Sequence, residues 1–142
     1  MRLGAVKQRL AVLLGEALPA VTVTPYRSDN PAVPSINLGE AVCTQRRATM
    51  GGKQMWTITS YVFTSRADDL QGQQDLDAYL AEDGSGSLLA ALEAFRRGVF
   101  DAEGVRLCDW LVVAQAGVGG YRTYATGEAD LYGATVDLEV MG

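Results

Sequence analysis

The sequence predicts an α+β fold: one domain over residues 1–142, built on a mostly antiparallel sheet of four to five strands with helices packed on one face. Three observations lead there. Near the N-terminus, apolar residues recur at spacings of three and four, which lines up one face of a helix. From Leu131 to Met141 the apolar pattern alternates instead, the mark of a strand with one buried face. The order is helix, strands, helices, strands, and the strands within each group are joined by connections of hairpin length. A chain of 142 residues buries about 68–70% of its unfolded surface, so it needs no metal or disulfide staple.

The first helix spans residues 2–18, with Leu3, Val6, Leu10, Leu13, Leu14 and Leu18 on one face. Pro19 ends it, because proline disfavours the helical conformation of the residue before it. Val21 to Thr24 is a short β-rich run, and residues 27–34 are loop. A second strand starts at Ser35 and reaches Thr44; residues 46–54, with Gly51-Gly52, form a polar hairpin connection. The third strand, Met55 to Thr64, is apolar on both sides: Met55, Tyr61 and Phe63 on one, Trp56, Ile58 and Val62 on the other. Such a strand is expected to be covered twice, the second time by another subunit.

Ser65 reads as the cap of the next helix, with Asp68 as its capping-box partner and Asp69 beside it in the first turn. Leu70, Leu76, Tyr79 and Leu80 give that helix a buried face, and Gly72 weakens it by roughly 1 kcal/mol. After the Gly/Ser break at 83–87, Ser85 or Ser87 caps a short helix through Leu88, Leu89, Leu92 and Phe95. Arg96-Arg97-Gly98 closes it, cations first and then a glycine free to turn left-handed. Val105 to Ala114 is expected as the fourth strand, residues 117–126 as a glycine- and tyrosine-bearing loop, and Leu131 to Met141 as the fifth.

Composition bounds the chemistry. The net charge is −5, so the surface repels phosphate and sequence-reading nucleic-acid binding is disfavoured. With no histidine, Ser-His-Asp and Cys-His systems are excluded. Cys43 and Cys108 lie far apart and read as small buried side chains. Gly117 to Gly120 lacks the dinucleotide fingerprint, and Met50 to Gln54 lacks phosphate-loop spacing and precedes a strand. The carboxylates Asp68, Asp69, Asp75, Asp77, Glu82 and Asp83 read as one solvated helix face. No catalytic, cofactor or metal residue is assigned, and no enzyme activity is expected. No apolar run approaches the ~18 residues of a membrane span, and the N-terminal apolar residues are spaced as a helix rather than a signal core. The chain therefore reads as soluble. Two groups remain as candidate partner contacts: Arg46, Arg47 and Lys53 in the hairpin connection, and Tyr121, Arg122 and Tyr124 in the later loop, residue types favoured at interfaces or against acidic surfaces.

A family resemblance rests on Ser65-Arg66-Ala67-Asp68-Asp69, then Gln74 to Leu80, then Gly84-Ser85-Gly86-Ser87. The strand before it and the closing pattern Leu131 to Val140 extend it, as does the helix ending near Leu18-Pro19. Together these resemble the tail terminator proteins of long-tailed phages and prophages of actinobacteria. The resemblance implies a virion protein, assembled in the host cytoplasm, that forms a hexameric ring on the head-proximal end of the tail tube. Such a ring stops tube polymerisation, presents a docking surface to the head-side connector and lets genomic DNA through its lumen. Another neck component, such as a head-closure or connector protein, is the nearest alternative. A small carboxylate-based enzyme or ligand-binding domain is a more distant one.

Overall fold

The computed structural model describes residues 1–28, 31–47, 49–66, 70–84, 86–117, 120–126 and 129–142. Helix α1 (Leu3–Ala17) leads into β1 (Thr22–Thr24), β2 (Ser35–Gln45) and β3 (Met55–Arg66). Helices α2 (Leu70–Tyr79) and α3 (Leu88–Glu93) follow, then β4 (Val99–Phe100), β5 (Arg106–Cys108), β6 (Trp110–Ala116), β7 (Arg122–Thr126) and β8 (Ala129–Met141). The α+β class and the single helix-covered face follow the sequence. The sheet is larger than expected and mixed: six strands in the order β1-β2-β3-β8-β6, with β7 also on β8. β1 runs parallel to β2, and the remaining pairs of that sheet are antiparallel.

Two corrections reshape the expected strands. The expected strand over residues 105–114 is two pieces. β5 turns away to pair with β4 in a separate two-stranded sheet, and only β6 joins β8. Gly98 makes this possible: its φ of 119° is left-handed, and a Cβ there would lie 2.6 Å from the Cys108 carbonyl oxygen. The expected loop at 117–126 contains β7. It continues along the edge of β8 that β6 leaves free, pairing Arg122 with Gly133 and Tyr124 with Leu131. The glycines that read as loop are the short step between two strands on one edge; Gly117 has a φ of 68°.

The core lies between the helices and one face of the sheet. Val6, Leu10, Ala11, Leu14 and Leu18 of the first helix and its end meet Leu76, Leu88 and Leu92 from the other helices. Beneath them lie Ile36, Leu38, Ile58, Val62, Ala134, Val136, Leu138 and Val140. The β8 residues of this set are the alternating ones of the sequence pattern. Leu70, expected on the buried face of its helix, is instead 67% exposed. Gly72 is buried, and its carbonyl accepts a hydrogen bond of 2.9 Å from the Thr64 hydroxyl. The close approach of α2 to β3 thus uses the glycine that costs the helix propensity.

The expected caps separate. Ser87 caps α3, accepting from the Ala90 N–H at 3.2 Å, and its own hydroxyl donates to the Ala81 carbonyl. Ser65 belongs to β3, paired with Tyr132, while Asp68, Asp69 and Ser85 lie outside the described residues.

Candidate functional site

The helix-free face of the sheet gathers the groups with most scope for recognition. Register places Phe63 opposite both Ser35 and Gly133, and Tyr61 opposite both Asn37 and Thr135. Tyr124, opposite Leu131, shares this face. Tyr61 stacks on Phe63 at 6.2 Å between centroids, and Tyr124 meets Phe63 and Tyr61 edge-on at 5.4 and 5.9 Å. Gly133 has to be glycine here: a Cβ would sit 2.5 Å from the Val62 carbonyl oxygen and 2.9 Å from the Phe63 ring. The result buries Phe63 completely within one chain. At this end part of the second cover of β3 comes from within the chain, from Tyr124 of β7.

A polar rim surrounds the rings. The Arg27 guanidinium lies over Tyr61 at 4.7 Å from the centroid and 3.5 Å from the Glu40 carboxylate. The Tyr61 hydroxyl donates to Glu40 at 2.9 Å. Glu40's own backbone N–H, then this hydroxyl and Arg27, hold its carboxyl below the usual range. Burial, then the neighbouring carboxylate, raises the Tyr61 hydroxyl above its ordinary value. Below the rim, fully buried Asn37 accepts from the Thr24 hydroxyl at 2.8 Å and donates to Ser35 Oγ at 3.1 Å. The same Asn37 oxygen accepts from the Ser28 N–H at 3.4 Å, so the network ties the chain on either side of Arg27 to the sheet. Arg27, Asn37 and Glu40 were not singled out from the sequence. Their relation to Tyr61 depends on strand pairing, and no local motif signals it.

The six predicted contact residues do not form one surface. Arg46 and Arg47 are exposed beyond the end of β2. Lys53 is bound in an ion pair with Asp109, which ties the hairpin to the segment before β6. Gln45, just before the arginines, pairs with Met55, which pairs with Met141; Tyr124 pairs with Leu131 at the other end of β8. At ~3.3 Å per residue these ends are roughly 33 Å apart. Arg122 is exposed on β7, and Tyr124 is half-buried in the aromatic cluster. Tyr121 faces the helices instead. Its hydroxyl donates to Asp77 at 2.5 Å, and its ring meets Tyr132 edge-on at 6.0 Å. Burial and then the Asp77 hydrogen bond push its pKa up to about 12.

These groups favour contact over covalent chemistry. The shifted tyrosines stay protonated at neutral pH, and burial raises the Cys108 thiol above its usual value. Among the described residues no group of three or more Cys, Asp or Glu converges as a metal site, and no helix is long and apolar enough to cross a membrane. Among the described residues the sheet also has two unpaired margins: β6 pairs only with β8, and β2 beyond Asn37 pairs only with β3. No protein-family model matches this chain, and no curated protein matches it in sequence.

Proposed function

We propose that this protein is a phage tail terminator. Copies of the chain close into a ring, expected to be hexameric, on the head-proximal end of the tail tube. The ring ends tube polymerisation and offers the head-side connector a docking surface, and genomic DNA passes through the lumen without being read. The observation that carries the proposal is the unit from Trp56 to Leu92, in which the resemblance lies. There an aromatic-rich strand, β3, leads into α2, and a Gly/Ser break with a serine cap opens α3. The two unpaired margins of the sheet are compatible with it, since a heterologous contact that closes under rotation makes a ring. A net charge of −5 suits a lumen through which DNA slides without being gripped. The exposed arginines at 46 and 47 are available to an acidic partner surface, whereas Lys53 is already paired within the chain.

The test is a phage lacking this protein. It should accumulate DNA-filled heads and unjoined tails of uncontrolled length. Normal virions from that mutant would end the proposal. In complementation, the double charge reversal Arg46→Glu with Arg47→Glu should lower virion yield at least tenfold while the purified protein melts as wild type. Wild-type yield would reduce the two arginines to solvated surface.

A further inference from the structure

We propose that the unpaired edge of β6 pairs with the unpaired edge of β2 on a second copy of this chain, joining the two sheets into one. The strongest evidence is β6 itself. It is seven residues long, Trp-Leu-Val-Val-Ala-Gln-Ala, with neither a charge nor a proline. Its last three residues are exposed. A free edge strand of this kind presents a row of unpaired backbone groups, and monomeric proteins blunt such edges with lysine or proline. On the far margin, Glu40 to Gln45 of β2 form a second free edge, again without lysine or proline. Val42, in its middle, is 63% exposed. Upstream of it the edge is already used: Ser35 to Asn37 pair with β1, and the Gly39 carbonyl accepts from the Lys7 ammonium at 2.8 Å.

Strand directions make the two edges complementary. β2 is antiparallel to β3, β3 to β8, and β8 to β6, so β2 and β6 run in opposite directions. A second copy set beside the first in the same orientation therefore meets β6 with an antiparallel β2, the more stable pairing per residue. The alternative, β6 against β6, would be a two-fold contact that closes at a dimer and leaves the β2 edge of both copies unused. Because β6 and β2 are different surfaces, every open assembly keeps one free edge of each kind until a ring closes. The pairing rests on the strand edges; only its closure into a ring is taken from the function proposed above.

Two single variants test it on the full chain by analytical ultracentrifugation. Ala114→Pro falls at the bulge of β6, where the register with β8 skips a residue and a proline is best tolerated in a strand. Gln115→Lys serves the same purpose if the proline variant does not fold. Val42→Lys blocks the β2 edge. Wild type should sediment as a closed oligomer and each variant as a folded monomer. An equimolar mixture should give a one-to-one dimer, because each variant keeps the edge that the other lost. A monomeric wild type, an oligomer unaffected by Val42→Lys, or a mixture that stays monomeric would each overturn the pairing. Wild-type rings held by these edges that fail to cap tail tubes would refute the function and leave the pairing standing. Edge variants that still form rings and cap tubes would do the reverse.

Discussion

On the helix-covered face of the sheet, burial is aliphatic and collective. Ile58, Val136 and Leu138 belong to one cluster with leucines from all three helices, continuous from α1 to β8. On the opposite face it is aromatic and local. Phe63 is fully buried and touches two tyrosine rings, and the glycine opposite it leaves the ring room. Farther along that face Thr135, Asp137 and Glu139 are only half-buried. The comparison teaches that an apolar residue on the second face of a strand need not announce a subunit contact. A ring from another strand of the same sheet, here Tyr124 of β7, can help cover it within the chain.

The largest effect should come from cutting into both faces. Phe63→Ala is expected to cost about 3–5 kcal/mol and Ile58→Ala about 2–5 kcal/mol in urea unfolding of a monomeric form. A loss below ~1 kcal/mol at Phe63, against a full loss at Ile58, would mean that only the helix-covered face is a true core. Gly133→Ala probes the same asymmetry less severely. Its Cβ would collide with the Val62 carbonyl and the Phe63 ring, at an expected cost of about 1–3 kcal/mol. No destabilisation there would show that the aromatic cluster yields easily. The smallest effect concerns two tyrosines three residues apart on opposite faces. Tyr121 hydrogen-bonds Asp77 and titrates near about 12, above the ordinary 10.0. A raised folded-state pKa adds stability that is complete below pH 10 and lost as pH rises toward 12. Thermal melts should therefore show Tyr121→Phe slightly less stable than wild type at about pH 9, with the gap closing by about pH 12. A gap that persists at high pH would assign Tyr121 a packing role only.

Much of the helix-covered face was legible in the sequence, because its signals are local and periodic. The heptad-like leucines of α1, the alternation in β8 and the serine before α3 each act within a few residues. The candidate site was less legible. Tyr124 was singled out, but as part of a loop. The reading of residues 117–126 followed their glycines, and pairing with β8 outweighed that local preference. Leu70 misled in the other direction: helical spacing put it inward, while its place at the first residue of α2 leaves it in solvent.

By itself the sequence determined the class of the fold, the single core, the acidic surface and the lack of histidine chemistry, all of which follow from composition and short-range pattern. Only the tertiary structure decided that Tyr124 of β7 helps cover the second face of β3 and that Lys53 is spent on Asp109. It likewise decided that Arg27 lies over Tyr61 and that β2 and β6, at opposite margins of the sheet, run in opposite directions. The physical reason is the same in each case. These relations join residues far apart in the chain, and strand register fixes them, with its long-range backbone hydrogen bonds that no local window of residues encodes.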